Sequence, residues 1–240
     1  MSATTRGLEV ADLGTILGVW AHPDDEGYLS AGIMSAAVAN GQRVVLAHAT
    51  IGEHGTDDPD SFPPARMREI RQRELQASLA VLGIDEHHLF GLEDGTCESH
   101  DPAAGAAMIA TVIDQVRPDT ILTFGPDGIT GHPDHRAISA WTEAAWVGAG
   151  RPGRLLRAAV SRGWATRHQA LHDQIGAFMD GYPKPIDESE LFLSIHLDDA
   201  TLDHKLSALR SQASQTLPLI EVMGPEIYRD WCSIESFVDT

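Results

Sequence analysis

The chain has 240 residues, 42% hydrophobic and 22% charged, and its 17 basic against 35 acidic residues set a formal net charge of −18. That length suits one domain with a sizeable core. The acidity, with no basic block to neutralise a phosphate backbone, excludes nucleic acid from the expected partners. No stretch approaches the ~20 apolar residues that span a bilayer, and the opening "MSATTRGLEVADLG" has no apolar segment behind a basic one. A cytoplasmic protein without a membrane partner is the expectation. Cys97 and Cys232 are too few and too distant for a disulfide framework or a thiolate zinc cluster, so any metal must be held by nitrogen and oxygen.

In chain order, β-rich runs at residues 15–21 ("TILGVWA"), 43–51 ("RVVLAHATI"), 87–92 ("HHLFGL") and 119–126 ("DTILTFGP") alternate with helical segments near 27–40, 63–82, 102–117 and 133–148. Near-continuous apolar strands alternating with helices predict an α/β fold, a mostly parallel sheet with helices on both faces. Beyond Pro152 the pattern loosens into a C-terminal α+β elaboration. It comprises a strand "RLLRAAVS", a helix near 167–179, a loop "GYPKPIDES", a strand "LFLSIHL", a helix near 198–213 and a closing strand near 231–238. The expected organisation is a single domain over 1–240, with 1–150 as core and 151–240 shaping the pocket.

Two turns concentrate the chemistry. "AHPDDE" (21–26) follows the first strand, and "GPDGITGHPDH" (125–135) follows the strand "DTILTFGP". In open parallel sheets ligands bind beyond the carboxyl ends of strands, so two His/Asp-rich turns leaving such ends can meet although more than a hundred residues separate them. His22 and Asp25 are three apart, as are His132 and His135, a spacing that points both members of a pair the same way in a helical turn. A plainer reading also fits each motif alone: His-Pro-Asp can cap a helix with Pro at its first position.

Catalytic zinc takes three protein ligands from His and carboxylate and leaves a position for water. With four candidates, one is left for the chemistry. Amide hydrolysis needs a carboxylate that accepts the water's proton and a donor for the oxyanion or the leaving amine. Asp24 suits the first role and His132 the second, although residue chemistry alone does not choose which histidine stays off the metal.

The pairing of "AHPDDE" with "GHPDH" resembles the LmbE-like, or PIG-L, family of zinc-dependent N-deacetylases. "ATIGEHG", "IRQRELQASLAVLG", "LEDG", "KLSALRSQ" and "ESF" resemble further family segments in family order. The resemblance implies a Rossmann-like fold and removal of the N-acetyl group from an N-acetylglucosamine-containing small molecule. It further implies zinc, or another divalent ion in its place, held by His22, Asp25 and His135, with Asp24 as general base and His132 as electrostatic stabiliser or acid. Arg71 and Asp94 would hold sugar hydroxyls, with Arg68 and Arg73 as near neighbours of the arginine. The partner is thus expected to be a small-molecule amide, and a homo-oligomer is compatible because members vary. One departure is Leu209, where many relatives carry a histidine before "RSQ"; here the segment reads as a packed helix. Rival readings are an amidase acting on a non-acetyl amide, such as a thiol conjugate, and a catalytically silent metal-binding protein.

Overall fold

The computed structural model describes residues 2, 3 and 9–240, so residues 1 and 4–8 of the opening segment read for a leader lie outside the described residues. The strands are β1 (Ser2–Ala3), β2 (Ile16–Trp20), β3 (Val44–His48), β4 (Glu86–Leu89), β5 (Thr120–Phe124), β6 (Arg154–Ala158), β7 (Leu193–His196) and β8 (Ile234–Asp239). The helices are α1 (Asp25–Ala39), α2 (Pro64–Leu82), α3 (Pro102–Val116), α4 (Pro133–Gly148), α5 (Arg162–Ile175), α6 (Asp199–Ser211), α7 (Ala213–Met223) and α8 (Pro225–Trp231).

All strands share one sheet in the order β1-β7-β8-β6-β5-β2-β3-β4. The run from β6 to β4 is parallel, whereas β8 joins β6 and β7 antiparallel and β1 joins β7 antiparallel. Every residue of β2, β3 and β5 is buried, which is why these strands read as unbroken apolar runs: helices cover both faces. Helices α1, α2 and α6 pack together on the sheet, and α3 packs on α4. Strand β4 closes one edge with the polar sequence "EHHL", half exposed, a composition that discourages further strand pairing.

The order reverses at β2. Chain from β2 to β4 proceeds to one side, while β5 and β6 lie on the other, with β5 directly beside β2. Such a switch point opens a crevice at the strands' carboxyl ends, and both charged turns leave from it.

Two helices differ from the sequence reading. The helix expected near 167–179 starts earlier, at Arg162, because Ser161 caps it by accepting from the Trp164 N–H. The stretch 213–231, which gave no helical signal, holds α7 and α8. Pro218 inside α7 and the Gly224-Pro225 junction masked them. Among the described residues no helix is long and apolar enough to cross a membrane.

Candidate metal and catalytic site

The turns after β2 and β5 meet, as their positions at the carboxyl ends of parallel strands suggested. His22 Nδ1 lies 3.2 Å from His135 Nε2, and the Asp25 carboxylate lies 3.7 Å from the former and 3.3 Å from the latter. All three residues are buried. Asp25 is held in place because its Oδ2 also accepts the His22 backbone N–H at 2.8 Å.

The partners of the remaining ring nitrogens fix the tautomers. His135 Nδ1 donates to the Gly128 carbonyl at 3.0 Å, leaving a lone pair on Nε2. His22 Nε2 faces two carboxylates, Asp94 at 3.0 Å and Asp134 at 3.3 Å, and must donate, leaving its lone pair on Nδ1. Two lone pairs and one carboxylate therefore converge on a point that calls for a cation. Four ligands about 2.0–2.1 Å from a tetrahedral ion stand roughly 3.4 Å apart; the two histidine nitrogens are close to that separation, and Asp25 meets His22 through Oδ2 and His135 through Oδ1. In the absence of an ion, burial opposes charge on His22, yet Asp134, Asp94 and Asp25 outweigh it and push its pKa up to about 10, so the ring then carries a proton on Nδ1 as well and a bound cation would take that proton's place. At His135 burial prevails over Asp25 and pushes the ring down to about 4, which keeps a lone pair for a ligand role.

Two wider groupings of donor atoms also surround His22, one with His132 and His135, the other with Asp94 and Asp134. Asp94 and Asp134 lie on the far nitrogen of His22, the outer partners that orient a metal-binding imidazole. His132 caps α4: its Nδ1 accepts the Asp134 N–H at 3.2 Å, with Pro133 at the first helical position. A neutral ring so engaged carries its proton on Nε2 and offers a donor, not a lone pair. The plain capping reading of "HPDH" therefore holds at this residue. Burial, reinforced by the charge of His22, holds the His132 pKa below the usual range and the ring neutral.

Asp24 sits beside this cluster with φ at 98°, in the left-handed region that a non-glycine residue enters at a cost on the order of 1–3 kcal/mol. Asp24 lines the cavity. Arg71 Nη2 donates to Asp24 Oδ2 at 3.2 Å, while burial, against the pull of Arg71, pushes the acid up to about 7. Its N–H donates to Glu26 Oε2 at 3.0 Å. Glu26 is fully buried and also accepts from His48 Nε2 at 3.0 Å and Gln212 Nε2 at 2.7 Å, so the loop is fastened to β3 and to the end of α6. His48, read from sequence as ordinary, is part of that fastening.

Arg71 and Asp94 both line the cavity, with identified partners. Besides Asp24, Arg71 donates to the carbonyls of Gly52, at 3.0 Å, and Pro23. The approach demands glycine at 52, where φ is +68° and a Cβ would stand 1.9 Å from Nη1. Asp94 accepts from the His54 N–H at 3.0 Å as well as from His22. Arg68 instead pairs with Glu53, and Arg73 bonds the carbonyl of Glu69 on its own helix. Leu209 lies buried against α1, within reach of Gly27.

Asp134 escaped the sequence reading although it stands inside the quoted motif. It is fully buried and accepts from the N–H groups of Gly95, at 2.8 Å, and Cys97, at 3.0 Å, as well as from His22. Those bonds and the charge of His22 outweigh burial and keep it below the usual carboxylate range. Asp134→Asn sets an amide N–H₂ against one of these donors. The expected outcome is a loss of about 1–3 kcal/mol in stability, and metal affinity about 10–100-fold weaker. Zinc titration and denaturant unfolding check both; unchanged affinity would detach Asp134 from the site.

A buried His/Asp triad at a sheet switch point, with a strained acid beside it and a large cavity above, defines an α/β protein equipped for metal-assisted hydrolysis. The chain belongs to the PIG-L family: the family model described as "GlcNAc-PI de-N-acetylase" matches residues 17–146. It is 29% identical over 231 residues to a probable N-acetyl-alpha-D-glucosaminyl L-malate deacetylase 2 of Bacillus cereus, covering 92% of this chain and 96% of the relative. It is 28% identical over 226 residues to a 1D-myo-inositol 2-acetamido-2-deoxy-alpha-D-glucopyranoside deacetylase of Corynebacterium glutamicum, covering 83% of this chain and 74% of the relative. The N,N'-diacetylchitobiose deacetylase of Pyrococcus horikoshii shares the fold, with a TM-score of 0.67 at 17% identity over 96% of this chain and 85% of the other.

Proposed function

We propose that this chain is a metal-dependent hydrolase that removes the N-acetyl group from an N-acetylglucosamine-containing conjugate. The convergence of two histidine lone pairs and the Asp25 carboxylate beside a free acid, Asp24, carries the reading, and the deacetylase names of the relatives support it. His22, Asp25 and His135 would hold the ion, zinc being the first choice for a nitrogen and oxygen set of this size. When bound, such an ion polarises the amide carbonyl and acidifies a water.

The side chains do the rest. Arg71 occupies Asp24 Oδ2, which leaves Oδ1 to accept the proton of the attacking water. A carboxyl titrating near neutrality suits that task. His132 Nε2–H faces the same space and donates to the oxyanion as it forms; the leaving amine then recovers a proton from Asp24 or His132. Arg71 and Asp94 border the sugar subsite. Residues 1–150 carry the chemistry and 151–240 shape the pocket, together forming one catalytic unit, a division supported by the shared sheet.

Acetate release from N-acetylglucosamine conjugates tests the proposal. Zinc-loaded protein is expected to liberate acetate, chelated protein at least a hundredfold less, and His22→Ala, Asp25→Ala and His135→Ala to bind less metal. A larger acid in place of acetate would redirect the reading to another amide, and full metal content in all three variants would remove the ligand assignment.

A further inference from the structure

The cavity has a volume of about 1120 Å³ and changes character away from the charged turns. That space reaches past the 300–1,000 Å³ typical of whole small-molecule sites, so one amino sugar leaves much of it unfilled. Much of the lining contributed by the stretch after residue 161 is apolar: Trp164, Ile175, Phe178, Leu219, Val222 and Trp231.

Helix α7 shows how the wall is built. Gln215, Pro218, Leu219 and Val222 all border the cavity, and their spacing of three, four and seven puts them on one helical face. Deeper in, Trp231 stands edge-on to Tyr28 with ring centroids 5.4 Å apart and 5.7 Å from Trp164. At the rim Val222 is 60% exposed, an apolar side chain left in water beside an opening.

Charge points the same way. Among the described lining residues Arg71 is the one lysine or arginine, and both of its terminal nitrogens are engaged by Asp24, Gly52 and Pro23. Asp57 and Asp58 add carboxylates to the lining. An anionic group entering this space finds no free guanidinium or ammonium to pair with, and an unpaired charge is costly to desolvate.

We propose that the amino sugar recognised here carries a neutral, apolar aglycone, alkyl or aryl, which lies against the wall of α5, α7 and α8. This rests on the deacetylase reading for its reacting end and on the wall alone for its far end.

The test compares kcat/KM of zinc-loaded protein for free N-acetylglucosamine, its hexyl glycosides of both anomeric configurations, and its malyl glycoside. One hexyl glycoside is expected to exceed the free sugar by tenfold or more, with the malyl glycoside no better than the free sugar. Trp231→Ala and Val222→Glu should each reduce the hexyl-to-free ratio at least threefold; Val222 is exposed, so that variant spares the core. A ratio near one, preference for the malyl glycoside, or a ratio untouched in both variants would overturn the proposal. Should no substrate release acetate, the deacetylase reading falls by itself, and tryptophan fluorescence decides the wall: saturable quenching by a hexyl glycoside that weakens in Val222→Glu sustains it, and no binding overturns it.

Discussion

Lys205→Met lowers the unfolding free energy by about 3–5 kcal/mol, the loss that follows when one partner of a buried ion pair is removed. Lys205 and Glu235 are both fully shielded, with Nζ 2.9 Å from Oε1. The pair reaches into the hydrogen-bond ladder of α1: Lys205 donates to the carbonyl of Tyr28 at 2.6 Å, and Glu235 accepts the N–H groups of Gly32 at 2.7 Å and Ile33 at 2.9 Å. Gly32 makes room for this, since a Cβ there would stand 2.4 Å from Leu197 and 3.2 Å from the carboxylate. Methionine fills the volume of the lysine stem but strands a buried carboxylate and a carbonyl. Denaturant unfolding measures the loss, and Lys205→Met combined with Glu235→Gln should recover part of it because the uncompensated charge goes. A single-variant cost below 1 kcal/mol would mean that water or rearrangement compensates the pair.

Asp24→Asn lowers kcat by about 10²–10⁴-fold while metal content stays at the wild-type level, the range associated with loss of a positioned general base. Asparagine keeps an oxygen for Arg71 and the shape of the turn, so binding and structure are spared and proton transfer is not. The decisive comparison is kcat against bound zinc in the same preparation: near-normal turnover would remove Asp24 from the base role, and lost metal would make it a ligand or a strut for one.

The core of the fold was legible because its central strands are buried on both faces and so read as apolar blocks, and because β2 and β5, which carry the two His-Pro-Asp turns, are neighbours. Sequence spacing could point each pair of residues together; topology supplied their meeting. What stayed hidden depends on long-range partners. Asp134 is a hub only because the chain at 95–97 turns its N–H groups towards it. "KLSALRSQ" and "ESF" carry no signal of their partners in sequence, yet they supply the ion pair of Lys205 with Glu235 and the grip of Gln212 on Glu26. The cavity wall was invisible because Pro218, Gly224 and Pro225 interrupt the helical pattern of the very helices that build it.

The cap at His132 has an evolutionary consequence. One imidazole ends the turn and starts the helix that delivers His135, and under the proposed function it also presents an N–H to the reacting space. A lineage that replaced this ring with a noncapping side chain would also loosen the helix start that carries His135, the proposed metal ligand three residues on, so activity and metal retention would erode together. Serine or asparagine, which cap helices well, are the exchanges that separate the two: a descendant carrying either would keep the scaffold and the ion while losing the proton donor.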